Sequence, residues 1–322
     1  MTKKVGCVIA YKKNHTNYGT SLVGYALVKK LQQLEYDVEI INYVKRLSFS
    51  EKVAIAINQF RVQGAKMFLK RFESRPTCQA YIDGIRTRTK SVEAYKQKKL
   101  IPLFHDYVGY KALAEGSLNY DAVVVGSDQV WLPHGLKTKF FNLLFVNDAV
   151  RKIAYASSFG VSEIPSFQKK ETAHYLNRFY RVSVREQKGQ EIIDALSKNK
   201  ATVVADPTLL LNADDWTKEA KNANVDTSEQ YIFCYFLGTN LDARKAANEL
   251  KAKTGLKIIA LRHMDEFVES DEQFGDEAPY AVDPNDFVKY IKDAEYVLTD
   301  SFHCSAFSIP VSYTHLRAHE TL

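Results

Sequence analysis

The sequence predicts an α/β protein made of two successive Rossmann-like domains, each a parallel sheet wrapped by helices. Three observations lead there. Short apolar runs such as Asp121 to Val125 alternate with stretches whose apolar residues recur at helical spacing. Those runs end in polar, glycine-bearing or acidic turns, the positions where open parallel sheets bind ligands. After Trp216 and a polar stretch to Gln230 the alternation starts again, so the 322 residues divide into domains at 1–215 and 216–310.

In chain order, Lys4 to Tyr11 is an apolar run, Asn14 to Gly19 a turn, and from Thr20 the residues Val23, Leu27, Leu31 and Leu34 mark a helix. Asp37 to Tyr43, carrying Val38, Ile40 and Ile41, completes a βαβ opening that favours parallel strands. Ser48 to Phe72 is an amphipathic helix interrupted at Gly64, and a second helical patch surrounds Ser91 to Leu100. Both interrupt the alternation and read as a helical insertion at 48–110. Strands are then predicted at Asp121 to Val125, Arg151 to Ala156, Val182 to Val184 and Thr202 to Ala205, separated by helices near Gln168 to Phe179 and Gly189 to Ser197.

In the second half, Tyr231 to Phe236, Lys257 to Leu261 and Tyr296 to Thr299 read as strands. Helices are predicted from Asp242 to Lys253 and from Asp283 to Asp293, the latter with Asp283 as cap and Pro284 in the first turn. A short helix from Cys304 to Ile309 follows. Beyond it, 311–322 has neither an apolar strand nor a helical face. That stretch reads as a non-native tail, which leaves the second domain incomplete and removes His315 and His319 from consideration as a metal pair.

Composition narrows the function classes. No run approaches the roughly 18 apolar residues of a membrane span, and the N-terminus lacks a signal-peptide core, so the expected location is cytoplasmic. Cys7, Cys78, Cys234 and Cys304 are scattered without the spacing of a disulfide framework or zinc ribbon. The net charge of +6 is uneven: residues 1–100 carry 20 Lys and Arg against 7 Asp and Glu, and the rest carry 24 against 31. The excess concentrates in a basic region at 45–99, which reads either as solvated helix faces or as a contact with an anionic partner such as a membrane surface at its inner face, nucleic acid or an acidic glycan.

Strand tips supply the candidates for chemistry. Gly126, Ser127 and Asp128 combine backbone N–H groups, a hydroxyl and a carboxylate, a set suited to a polyol or an anion; Asp128 could equally cap the next helix. Asn17, Tyr18 and Gly19 form a loose relative of a phosphate loop. Arg185 closes a strand with a guanidinium fork that fits a carboxylate or phosphate, or pairs on the surface. His303 follows Asp300 and Ser301 at another tip, and its side chain suits proton transfer near neutrality; a core histidine bonded to a carbonyl is the plainer reading. No zinc-protease, Walker or dinucleotide-binding motif is present, so no metal site is expected.

Six of these tips in order resemble the polysaccharide pyruvyl transferase family: Asn17 to Leu27, Val125 to Trp131, Ser157 to Gly160, Val182 to Glu186, Ala205 to Leu210, and Leu298 to His303. The resemblance implies a glycosyltransferase-B-like pair of domains. It also implies transfer of a pyruvyl group from phosphoenolpyruvate to sugar hydroxyls of a bacterial-type surface polysaccharide or its lipid-linked precursor, forming a ketal. Phosphoenolpyruvate is then a donor substrate, no cofactor is needed, and nucleic acid is not an expected partner. His303 is the implied acid or base. Arg185, Ser301 and Arg262 are the candidates for the donor, and Asn17, Tyr18, Gly19, Gly126, Ser127 and Asp128 for the acceptor or another ligand. The family pattern has Arg-Leu-His where this chain has Ser301-Phe302-His303. Two alternatives therefore stay open, a nucleotide-sugar glycosyltransferase and a catalytically silent glycan-binding protein.

Overall fold

The computed structural model describes residues 2–11, 15–69, 78–264 and 267–310, without the side chains of 65–69. The predicted tail at 311–322 lies outside the described residues. The chain divides into two compact units assembled from separated segments. The first comprises Met1–Tyr11, Val23–Arg75 and Leu100–Leu210, and the second Lys12–Leu22, Pro76–Lys99 and Leu211–Leu322.

The first unit is a seven-stranded parallel sheet of β1 (Lys4–Val8), β2 (Asp37–Val44), β3 (Phe104–Val108), β4 (Ala122–Val125), β5 (Arg151–Ser157), β6 (Arg181–Val184) and β7 (Ala201–Val203). Its order is β3-β2-β1-β4-β5-β6-β7. The order reverses between β1 and β4, and such a reversal opens a crevice beyond the carboxyl ends of the strands. β1 and β4 bury almost every side chain, as strands covered on both faces must. Helices α1 (Tyr18–Gln33), α2 (Phe49–Leu69), α4 (Tyr110–Gly116), α5 (Lys169–Leu176) and α6 (Gln187–Leu196) lie in this half of the chain. The core gathers Val8, Val123 and Val125 with Trp131, Phe159 and Tyr175.

The second unit is a parallel sheet ordered β10-β8-β9, of β8 (Tyr231–Tyr235), β9 (Lys257–Ala260) and β10 (Tyr296–Thr299). Its helices are α3 (Gln79–Lys99), α7 (Ala213–Ala220), α8 (Leu241–Thr254), α9 (Pro284–Asp293) and α10 (Phe302–Ser308). Asp283 caps α9 as expected, accepting from the backbone N of Asn285 and Asp286. Aromatic packing holds this unit. Phe287 stacks on Tyr18 at 4.7 Å and meets Phe233, Tyr235 and Phe307 edge-on.

The parallel α/β class is as predicted. The helical insertion is where the structure departs from the sequence reading of contiguous domains. Its first helix, α2, belongs to the first unit, and its second, α3, to the other. Phe104–Val108 within the predicted insertion is an edge strand, paired with β2. Two of the basic residues assigned to a docking surface point inward. Arg88, 1% exposed, donates to the carbonyls of Tyr280 (2.8 Å), Pro279 (2.9 Å) and Arg262 (3.4 Å). Lys96 donates to the carbonyl of His15 (3.0 Å) and to Glu93 (2.8 Å), and burial lowers its pKa against the pull of Glu93. No helix among the described residues is long and apolar enough to cross a membrane.

Candidate functional site

In the first unit, the ends of β4 and β6 and the turn after β7 bring Ser127, Asp128, Arg185 and Asp206 together. Asp206 follows β7, and its side chain is fully buried. A buried carboxyl needs hydrogen-bond partners. It accepts from Ser127 Oγ at 2.7 Å, from Thr208 N at 3.0 Å and from Thr208 Oγ1 at 3.0 Å. Arg185 Nη1 stands 3.5 Å from Asp206, its Nη2 3.9 Å from Asp128 and its Nε 3.7 Å from Glu186. Three carboxylates thus orient one guanidinium, the fork that binds planar carboxylates and phosphates.

Two residues at these tips hold a backbone conformation that L side chains rarely adopt, Asp128 at φ 91° and Ala156 at φ 52°. The surrounding bonds enforce Asp128: its carbonyl accepts from Ser158 N (3.0 Å) and Val130 N (2.7 Å), and its Oδ1 from Gln129 N (2.8 Å). The β4–β5 register continues past the strands to place Ser157 opposite Asp128, and on its other side β5 shifts register against β6 between Ala154 and Ser157, which sets Ser157 opposite Val184. Gly126 N donates to Val8 O at 2.9 Å. A Cβ on Gly126 would lie 2.8 Å from Leu27 of α1, so glycine lets that helix close over the β1–β4 switch point.

In the second unit, His303 lies in the first turn of α10, just past β10. Ser301 caps that helix and accepts from Cys304 N at 3.4 Å. Asp300 ties the neighbouring tip by accepting from Leu237 N at 2.7 Å. The imidazole of His303 rests on Gly19 in the first turn of α1, where an added Cβ would come within 2.4 Å of Nδ1. Asn17 begins that turn, with Oδ1 accepting from Thr20 N at 3.1 Å. The positive end of a sixteen-residue helix therefore adjoins the histidine.

The structure brings Ser127, Asp128 and Arg185 together in one unit, and Gly19 and His303 together in the other. Two candidates are engaged elsewhere. Tyr18 is a core residue whose hydroxyl donates to Val282 O at 3.1 Å, and burial pushes its pKa well up. Arg262 donates from Nη1 to Glu272 (3.0 Å) and to the Tyr280 hydroxyl (2.6 Å). Ser301 is a cap and brings no cation. Asp206 is the residue that motif reading passed over, because Asp-Pro after a strand reads as a turn. Cys304, next to His303, is no nucleophile, since burial pushes its thiol up to about 12.

Comparison with known proteins adds the family. The model of the polysaccharide pyruvyl transferase family matches residues 17–309. No curated protein matches the sequence. Similar solved structures include the UDP-GlcNAc 2-epimerase of Methanocaldococcus jannaschii in complex with UDP-GlcNAc and UDP, at 16% identity over 96% of this chain and 82% of that one, TM-score 0.47. S. aureus MnaA with UDP shares 12% identity over 96% of this chain and 78% of that one, TM-score 0.49. The Neisseria meningitidis UDP-GlcNAc 2-epimerase bound to UDP-GlcNAc shares 9% over 92% and 77%, TM-score 0.46. At these scores the likenesses carry no argument about function. The family match spans nearly the whole chain, from the first turn of α1 to the end of α10, and the chain belongs to the polysaccharide pyruvyl transferase family, a family of transferases.

Proposed function

We propose that the protein transfers a pyruvyl group from phosphoenolpyruvate to two hydroxyls of a sugar in a surface polysaccharide or its lipid-linked precursor. The observation that carries the reading is the imidazole of His303, seated on Gly19 beside the start of α1. The reaction needs a proton on the methylene carbon of the donor and attack by one hydroxyl on the carbon bearing phosphate. A second hydroxyl then displaces phosphate and closes the ketal. One proton is delivered to carbon and two leave the hydroxyls, one of them departing with phosphate, so an imidazole that can accept and return a proton fits the sequence of steps. Arg185, oriented by Asp128, Glu186 and Asp206, is the proposed cation for the donor's anionic groups. Ser127 and Asp128 are proposed to meet sugar hydroxyls.

The test is phosphate release from phosphoenolpyruvate on incubation with a panel of glycan acceptors, with His303→Ala alongside. Release that depends on acceptor and is abolished in the variant is the expected result. No release with any acceptor, together with turnover of a nucleotide sugar, would overturn the reading.

A further inference from the structure

A helix on a protein surface ordinarily turns its apolar stripe inward; α2 does the reverse. Its inward side is fixed by buried Asn58, whose Nδ2 donates to the carbonyls of Pro133 (3.2 Å) and His134 (3.1 Å) and whose Oδ1 accepts from Gln168 Nε2 (2.7 Å). At about 100° per residue, Phe49, Val53, Ala56, Ile57 and Phe60 fall within one arc on the opposite side. They are exposed there, Phe49 by 83%, Ile57 by 54%, Phe60 by 48% and Val53 by 39%. Gly64, at φ 74° and ψ 169°, ends the helical run beyond them. Exposed Lys52 borders the arc on one side and exposed Arg61 on the other. Arg61 also covers the half-exposed ring of Phe167 at 3.9 Å. The helix's single carboxylate, Glu51, is turned to the helix start, where it accepts from Ser48 N (2.8 Å) and Ser48 Oγ (2.9 Å).

We propose that this outward face of α2 docks on a bilayer bearing anionic headgroups. Phe49, Val53, Ile57 and Phe60 enter the boundary between headgroups and acyl chains, and Lys52 and Arg61 meet the phosphates on either side. The charge pattern selects this occupant over a second copy of the chain. Two such faces packed together would oppose cationic borders with no carboxylate in the arc to meet them. The inference goes beyond the reaction proposed above and uses none of its residues.

Cosedimentation with vesicles tests it, using phosphatidylcholine alone and phosphatidylcholine mixed with phosphatidylglycerol. The native protein is expected to bind only the mixed vesicles, and less at high salt. Phe49→Glu combined with Ile57→Glu, and separately Lys52→Glu combined with Arg61→Glu, are expected to abolish binding with the melting temperature unchanged. Failure of the native protein to bind mixed vesicles, or equal binding by the variants, would overturn the proposal. So would a concentration-dependent dimer in sedimentation velocity that the Phe49→Glu, Ile57→Glu pair dissolves, which would assign the face to a second copy. Vesicle binding is read without turnover, so the proposed reaction and this surface can fail separately.

Discussion

The strand tips of the two units hold their polar side chains in place by different means. In the first unit the means is charge: Asp206, fully buried, is fixed by Ser127 and Thr208 and helps orient Arg185 together with Asp128 and Glu186. In the second it is shape: His303 is placed by the absent side chain of Gly19 and by the short helix that Ser301 caps. A charge-held tip should lose stability and geometry together when one member is removed. A shape-held tip can lose its geometry at a smaller cost in stability.

The largest effect expected is on turnover. His303→Gln should lower it by about 10²- to 10⁴-fold, the range of a positioned acid or base, while the denaturation midpoint stays at the native value. A native rate would remove the histidine from the chemistry. Asp206→Ala should destabilise the first unit by about 3–5 kcal/mol, because it strips one partner from a buried ionic cluster. Ser301→Ala, by contrast, should cost only about 1 kcal/mol, the worth of a cap. Equal losses in urea denaturation would erase the distinction between the tips.

Gly19→Ala sharpens the comparison further. Alanine is favoured over glycine within a helix by about 1 kcal/mol, yet its Cβ would displace the His303 ring. Turnover is expected to fall by about 10²-fold, the cost of misplacing a catalytic group by about 1 Å, and stability by about 1–3 kcal/mol, the cost of overpacking, because the new Cβ would also stand 2.9 Å from the Cβ of His303. An unimpaired rate would show that the ring needs no such seat. The smallest effect is expected at Arg262. Its guanidinium already serves Glu272 and Tyr280, so Arg262→Lys should leave KM for the donor within about twofold. A large rise in KM would return Arg262 to the donor.

The βαβ opening, the β4 to β7 tips and the capped start of α9 were legible because each is encoded within a dozen residues of chain. The edge strand Phe104–Val108 was not, since it exposes most of its side chains and shows no apolar run. α3 begins at Gln79 rather than near Ser91 because tertiary contact overrides a weak local pattern: Gly84, a poor helix former, receives the ring of Tyr280 where a Cβ would stand 2.3 Å from it. The composite make-up of the second unit rests on bonds such as Arg88 to Tyr280, 192 residues apart, which no local spacing announces. At the candidate site His303, Arg185 and Asp128 could be picked out as tips of predicted strands. The buried carboxyl of Asp206 could not, because its partners Ser127 and Arg185 become neighbours only when the sheet closes.

In the proposed reaction a pyruvyl group passes from phosphoenolpyruvate to the glycan with protonation at the methylene carbon. Mass spectrometry of the glycan after reaction in deuterium oxide measures this most directly. The expected product is a pyruvyl ketal on the sugar whose methyl group carries one solvent deuterium, absent with His303→Gln. A glycan unchanged by phosphoenolpyruvate but extended by a sugar nucleotide would contradict it.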